Sequence, residues 1–387
     1  MPCLLDDLRA SGVLDALDAH FADLVVRRGG PGAEPLAVPA ALVSALRRRG
    51  HVCMDLSRPP AAWFSAAFGV DAPEAEAFSK GWNLEAGRFP TLGRPGDRAP
   101  LILDGARLYL HRLWTCQHDL AARLAARAAA PPAALPAALE KVLARTFGGD
   151  AQADQLAAAR AVASRSLAVI SGGPGTGKTT AAVRALGAML AGGPLRVALA
   201  APTGKAVARL KESLAAAGIP VGALATATIH RLLGIRPSTG RPQYDAETPL
   251  PCDLVIADEV SMVDLELMAH LVRALAPATR LVLLGDRDQL ASVEPGSVFS
   301  DLCAGLDRAV GKTAPTGLVP VGPDMAALRG AGSRGRDRGG PSVPPGTLTV
   351  LGHNFRFGAE SGIGRLARSS EERRGGKECR SVWTADD

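Results

Sequence analysis

Between a short apolar run at 167–170 and a helix-forming run at 181–190 the chain reads Gly172-Gly173-Pro174-Gly175-Thr176-Gly177-Lys178-Thr179-Thr180. The spacing is G-x-x-x-x-G-K-T, that of a phosphate-binding P-loop, and strand, loop and helix come in the order that motif requires. Glycines let the backbone wrap a phosphate chain with its N–H groups pointing inward, at positive φ angles that a Cβ would penalise. Lys178 then supplies a point charge to the β and γ phosphates, and the Thr179 hydroxyl is left to ligate Mg²⁺. A Gly-rich turn ahead of a helix spells similar letters, so the weight of the motif depends on the residues downstream of it.

Beyond that loop, apolar runs at 196–201, 254–257 and 281–284 alternate with helical stretches. Such alternation predicts an α/β fold, a parallel sheet covered by helices, with ligands held at the carboxyl ends of the strands. The run at 254–257 ends in Asp258-Glu259, the acidic partner that a P-loop needs. Asp258 is placed to hold Mg²⁺ and Glu259 to polarise the water that attacks the γ phosphate. The run at 281–284 leads into Gly285-Asp286-Arg287-Asp288-Gln289, where the Gln289 amide is suited to sensing a γ phosphate because it both donates and accepts. Arg356, flanked by Phe355 and Phe357, is the candidate for an arginine that completes such a site.

Gln155, at the start of a helix ahead of the first strand, offers the bidentate amide contact that recognises adenine. The expected cofactors are therefore ATP and Mg²⁺, with the nucleotide held by Gln155 and by Gly172 through Thr180, and the metal by Thr179 and Asp258. Two further segments, Pro202-Thr203-Gly204-Lys205 and Thr228-Ile229-His230, fall at or near strand ends. Thr203, Lys205, Thr228 and His230 present hydroxyls and cations suited to gripping a phosphodiester backbone without reading its sequence. Alone, each would pass as an ordinary turn.

With 387 residues the chain has room for two or three cores. Its net charge of +6 fits an anionic partner without requiring one. Six scattered cysteines with no C-x-x-C predict reduced thiols and a cytoplasmic protein, and no apolar run reaches membrane-spanning length. Residues 1–125 read as an α-rich domain, with one helical pattern over 4–26, a second over 40–49, and a hairpin around Asp104-Gly105. His51 and Cys53 lack a further ligand at metal-site spacing and read as packing residues. Prolines among alanines mark 126–137 as a linker, and 138–304 carries the P-loop domain. Residues 305–347 form a basic Gly/Pro-rich insertion, and 369–387 departs from the preceding composition and reads as a non-native tail.

In order, Gln155, G-G-P-G-T-G-K-T-T, A-P-T-G-K-A, T-I-H-R-L-L-G, D-E-V-S-M, G-D-R-D-Q-L and N-F-R-F resemble the motifs of superfamily 1 helicases. They are most similar to the RecD group, the alpha chain of exodeoxyribonuclease V (RecBCD). G-H-V-C-M-D-L at 50–56 and P-L-I-L-D-G-A-R-L-Y-L-H-R-L-W at 100–114 resemble the amino-terminal domain of that group. The resemblance implies a RecA-like ATPase domain at 138–304 and the start of a second, truncated one at 348–368. It also implies an amino-terminal docking domain and an ATP-dependent 5′–3′ helicase acting on single-stranded DNA and duplex ends in double-strand break repair and recombination. The expected partners are the beta and gamma chains of a RecBCD-type heterotrimer, with no membrane and with the nuclease in a partner chain. The family's later T-x-H-x-x-Q-G and T-R-A segments do not occur in this sequence.

Three other readings are open at this level. A free-standing helicase of the same superfamily would carry the same motifs, and a nucleotide-binding interaction subunit would keep the fold without motor activity. A small-molecule kinase could share the P-loop but needs neither Gln289 nor phosphodiester-gripping segments.

Overall fold

The computed structural model describes residues 2–74, 76–149, 152–220, 222, 224–289, 296, 298–309 and 346–352. The apolar pattern over 4–26 forms two helices rather than one, α1 (Pro2–Ala10) and α2 (Ala16–Gly29). Asp15 divides them, because its carboxylate accepts from the Asp18 N–H while Asp18 accepts in return from the Asp15 N–H. This reciprocal cap starts a new helix and resets its phase. Leu8, Val13, Leu14 and Val25 are consequently buried, whereas Leu17 and Leu24 face outward at 66% and 44% exposure.

Helix α3 (Ala37–Arg48) packs on α2. A four-stranded sheet comes next, with order β1-β4-β3-β2, built from β1 (Cys53–Asp55), β2 (Leu92–Gly93), β3 (Leu101–Asp104) and β4 (Arg107–Leu110). The predicted hairpin is present: Asp104 pairs with Arg107 across Gly105 and Ala106, and Gly105 takes the positive φ of 58° that the turn demands. Between β1 and β2 lie two short helices, α4 (Phe64–Phe68) and α5 (Glu76–Lys80).

Helix α6 (His111–Ala129) runs through the boundary expected at 125 and through the start of the expected linker. It is nevertheless continuous with the hairpin, and the connection proper is the proline-bearing stretch 130–136. Two helices, α7 (Ala137–Thr146) and α8 (Ala153–Ser164), then lead into the main sheet.

That sheet has six parallel strands in the order β10-β5-β9-β8-β6-β7. They are β5 (Leu167–Gly172), β6 (Val197–Ala201), β7 (Ala225–Thr228), β8 (Leu254–Ala257), β9 (Arg280–Gly285) and β10 (Leu348–Leu351). The crossovers carry α9 (Lys178–Leu190), α10 (Gly204–Ala216), α11 (Ile229–Leu232), α12 (Leu265–Arg273) and α13 (Val298–Ala309). Both faces are covered, so β5, β6 and β8 are buried at every position, the pattern of a doubly covered parallel sheet. Ile170, Leu199, Ile256 and Leu284 pack with α8, α9 and α10 on one face. Val169, Val255, Leu281 and Leu283 pack on the other face with Leu113, Leu120 and Leu124 of α6 and with α12.

Helix α6 is therefore part of the core of the P-loop domain. Arg112 pairs with Glu266, Arg273 pairs with Asp119 at 2.9 Å, and the Arg127 guanidinium donates to the carbonyls of Leu275, Ala276 and Thr279.

Two further boundaries differ from expectation. Residues 348–351, expected to open a second RecA-like domain, form the edge strand β10 of the first, with Val350 opposite Ser171 and Leu351 opposite Gly172. The insertion expected from 305 begins later, since α13 continues to Ala309. Residues 310–345, 353–368 and the tail at 369–387 lie outside the described residues. Among the described residues no helix is long and apolar enough to cross a membrane.

Candidate functional site

The carboxyl ends of β5, β9 and β8 lie side by side, and the loops that leave them form one site. Gly175 and Gly177 take φ values of 83° and 82°, which turn the loop and set Gly177 as the cap of α9. Lys178 and Thr179 are thus the first two residues of a helix whose free N–H groups and positive end face the loop. Lys178 Nζ donates to the carbonyls of Gly172 at 2.6 Å and Gly173 at 3.1 Å, folding the ammonium over the loop's concave side. The Thr176 hydroxyl braces the loop against Gly173 O at 2.9 Å.

Thr179 Oγ1 donates to Asp258 Oδ2 at 2.6 Å. The other Asp258 oxygen accepts from the Glu259 N–H at 2.8 Å, and the Asp258 N–H is bonded to Ala200 O of β6. Asp258 is only 6% exposed, and burial pushes its carboxyl above the ordinary carboxylate range against the pull of Thr179, the Glu259 N–H and Lys178. Glu259 is half-buried, and its carboxyl is also pushed up, first by burial and then by the neighbouring Asp258 charge.

Among the described residues Glu259 alone has a positive φ outside glycine, at 53°. Holding a side-chain-bearing residue there costs of order 1–3 kcal/mol, which the surrounding bonds must offset. The next turn places Ser261, whose hydroxyl donates to Gln289 Oε1 at 2.9 Å. Gln289 is thereby tied to the loop of the two acids, although β9 and β8 are separate strands. Ser261 is the serine of D-E-V-S-M, but the spacing of the letters does not say that its partner is Gln289.

Gln155 Nε2 donates to Thr176 O at 3.1 Å, and the side chain is buried at the cavity wall. One of its N–H groups is therefore committed to the loop, leaving the other and the carbonyl oxygen for a ligand. The cavity, of about 750 Å³, is bounded by Gln155, Gly175, Gly177, Lys178, Thr179, Thr180, Asp258 and Glu259. Arg184 of α9 and Arg209 and Ser213 of α10 also line it. These were missed in the sequence, although the four-residue steps from Lys205 to Arg209 and Ser213 place all three on one stripe of α10.

On the same carboxyl rim of the sheet, beside β8, Ala201 of β6 is in register with Thr228 of β7, so the two candidate polynucleotide-gripping segments leave adjacent strand ends. Thr203 caps α10 by accepting from Ala206 N at 3.2 Å, and Thr228 caps α11 by accepting from Arg231 N at 3.3 Å. Each hydroxyl keeps its proton for an outside acceptor. Lys205 and His230 are exposed beside them. Arg356 lies outside the described residues.

Residues 10–109 match the family model described as the RecBCD enzyme subunit RecD, N-terminal domain, and residues 155–295 match one described as an AAA domain. The RecBCD enzyme subunit RecD of Mycolicibacterium smegmatis is 40% identical over 312 residues, 76% of this chain and 53% of that protein. That of Haemophilus influenzae is 37% identical over 217 residues, 51% of this chain and 32% of that protein. The ATP-dependent RecD2 DNA helicase of Deinococcus radiodurans is 45% identical over 145 residues, 37% of this chain and 18% of that protein. The chain spans about half the length of the first relatives it matches.

Proposed function

We propose, from the premise that the chain belongs to the RecD family, that it is the ATP-hydrolysing helicase subunit of an exodeoxyribonuclease V-type complex. The carrying observation is the contact of Thr179 with Asp258, which brings the P-loop and the acid pair to one cavity. That is the constellation phosphoryl transfer needs.

The residues present fit a magnesium ion. A hydroxyl and a carboxylate, both hard oxygen ligands, meet at 2.6 Å, and the carboxylate is buried. Thr179 and Asp258 would hold Mg²⁺, which when bound neutralises charge on the β and γ phosphates. The chain's own residues supply the remaining chemistry. Lys178 exchanges its carbonyl partners in the loop for the β and γ phosphate oxygens. Gln155 takes the adenine edge with its free N–H and carbonyl oxygen.

Glu259 accepts a proton from water as the water oxygen bonds to the γ phosphorus and the bond to the β–γ bridging oxygen breaks. The elevated pKa of its carboxyl makes it a better proton acceptor than a solvated glutamate. Gln289, held to the acid loop through Ser261, is placed to report the γ phosphate to β9. Arg356 would add charge from beyond β10.

The polynucleotide backbone is proposed to run across the ends of β6 and β7, held by Thr203, Lys205, Thr228 and His230. Single-stranded DNA and duplex ends are the proposed substrates, with beta and gamma chains as partners and the amino-terminal region ahead of α6 as the docking region. ATP hydrolysis measured with and without single-stranded DNA tests the reading. Stimulation by DNA supports a motor. Nucleotide binding with no hydrolysis under either condition would favour an interaction subunit.

A further inference from the structure

Glu259 keeps its positive φ only while its surroundings hold it there. The chain after it makes one turn at Val260–Met262 and then reaches Asp264, whose carboxylate accepts from the Leu267 N–H at 2.9 Å and caps α12. Leu265, the first residue of that helix, therefore anchors the far end of the loop that carries the two acids. Val260, Val263 and Leu265 are buried in one apolar cluster with Val298 and Phe299 of α13. Val52, which precedes β1 in the amino-terminal region, belongs to the same cluster and is 1% exposed.

Gly296 joins these parts. Its N–H donates to the Gly50 carbonyl at 3.2 Å, a backbone bond between the P-loop domain and the amino-terminal region. Its φ is 103°, and a Cβ placed on it would stand 3.0 Å from Leu265 Cβ and 3.6 Å from Val52 Cγ2. Glycine lets the backbone pass between those two side chains where a larger residue would displace one of them. The acid loop is thus tied at Ser261 to Gln289, and at Leu265 to Gly296 and so to Gly50 and Val52.

We propose that Gly296 and Val52 are positioning residues through which the amino-terminal region fixes the loop that carries Glu259. This rests on the reading of Glu259 as the base. It adds a requirement that comes from outside the P-loop domain. Close-packed interiors transmit a displacement rather than absorb it, so a shift of Gly50 and Val52 moves Leu265 and the loop that ends there. The nucleotide is held elsewhere, by Gln155 and the P-loop that follows β5. A chain docked on the amino-terminal region would then act on the rate of hydrolysis and not on nucleotide affinity.

The test compares Val52→Ala, Val52→Ile and Gly296→Ala with the unaltered protein, purified from its own host with whatever chains accompany it. Single-turnover ATP hydrolysis, affinity for a fluorescent ATP analogue and the folded fraction by circular dichroism are measured under one set of conditions. Val52→Ala opens space beside Gly296, and Gly296→Ala pushes Leu265 away. Both should lower the single-turnover rate by about tenfold, less than the roughly hundredfold cost of a 1 Å misplacement, and leave nucleotide affinity unchanged. Val52→Ile keeps the space filled and should retain most of the rate.

A rate that falls only in proportion to the folded fraction would make the contact purely structural and overturn the proposal. An unchanged rate in both alanine variants would do the same, as would weakened affinity at an unchanged rate. Glu259→Gln is measured alongside. If it hydrolyses ATP normally the assignment of the base fails, which is separate from any result at Val52 or Gly296.

Discussion

The Thr179 hydroxyl and Asp258 Oδ2 meet at 2.6 Å although 79 positions separate them in the chain. The contact closes the space between the P-loop and the acid strand, which are two strands apart in the sheet with β9 between them. Strands spaced about 4.8 Å apart put β5 and β8 about 10 Å from each other, so only side chains reaching inward from both loops can meet. Asp258→Asn keeps the size of the side chain and removes the charge. Hydrolysis should fall on the order of 10²- to 10³-fold and lose its response to added Mg²⁺. A magnesium titration of ATP hydrolysis checks this.

Lys178 Nζ donates to two carbonyls of its own loop, which it must leave for a phosphate chain. Lys178→Ala should therefore leave the fold intact, since the side chain is surrounded by loop backbone and cavity rather than by core. Hydrolysis should drop by about 10²-fold or more, as for other single donors aimed at developing charge. Circular dichroism and ATP turnover on one preparation separate folding from chemistry, and normal turnover would place the reaction elsewhere.

Glu259→Gln tests the base directly. The amide fits the same space and lacks the proton-accepting oxygen, so nucleotide binding should persist while kcat falls by about 10²- to 10⁴-fold. Fluorescent-nucleotide titration and single-turnover hydrolysis make the distinction.

Much of this arrangement was legible in the letters. The P-loop, the acid pair and Gln289 each sit at the end of an apolar run, and all three runs became parallel strands. What could not be read was lateral order. Nothing in the sequence says that β9 lies between β5 and β8, or that Leu348–Leu351 returns to pair with β5 after an intervening stretch. Strand pairing at that separation is decided by which edge is free, and periodicity carries no record of it.

The α1–α2 break was missed for a different reason. Asp15 and Asp18 make a cap with aspartate in the place where glutamate or glutamine is usual, and the apolar spacing ran through it. The domain boundary at 125 was misplaced because α6 is amphipathic in the ordinary way. Only the structure reveals that its apolar face completes the core of the sheet.

Arg127 ties α6 to the turn that leads into β9. Its guanidinium, 9% exposed, donates to the carbonyls of Leu275, Ala276 and Thr279 at the turn between α12 and β9. Arg127→Met keeps most of the packing volume and removes that donor, while Ala276 O keeps the Thr279 N–H at 3.0 Å. The loss should be about 3 kcal/mol, as for removal of charged hydrogen bonds to buried acceptors. Denaturant unfolding measures it, and a change within a few tenths of a kcal/mol would mean that water satisfies the turn instead.

His270 gives the same interface a pH response. It lies on the last turn of α12, and burial first, then the Arg273 and Arg112 charges, lower its pKa from the ordinary 6.5, with Asp264 opposing them. A histidine with a depressed folded-state pKa takes up its proton more readily when unfolded. Stability is therefore complete above 6.5 and declines as the pH falls through the lower, folded-state value. Thermal unfolding should show a falling midpoint between neutrality and about pH 5, the range in which histidine titrates. His270→Gln keeps a neutral polar side chain of similar length and should flatten part of that decline. His51, lowered by burial in the amino-terminal region, contributes in the same direction and accounts for slope that remains in the variant. A slope identical in the variant would show that His270 takes up its proton equally readily in the folded and the unfolded chain, and that burial and the surrounding arginines do not shift it.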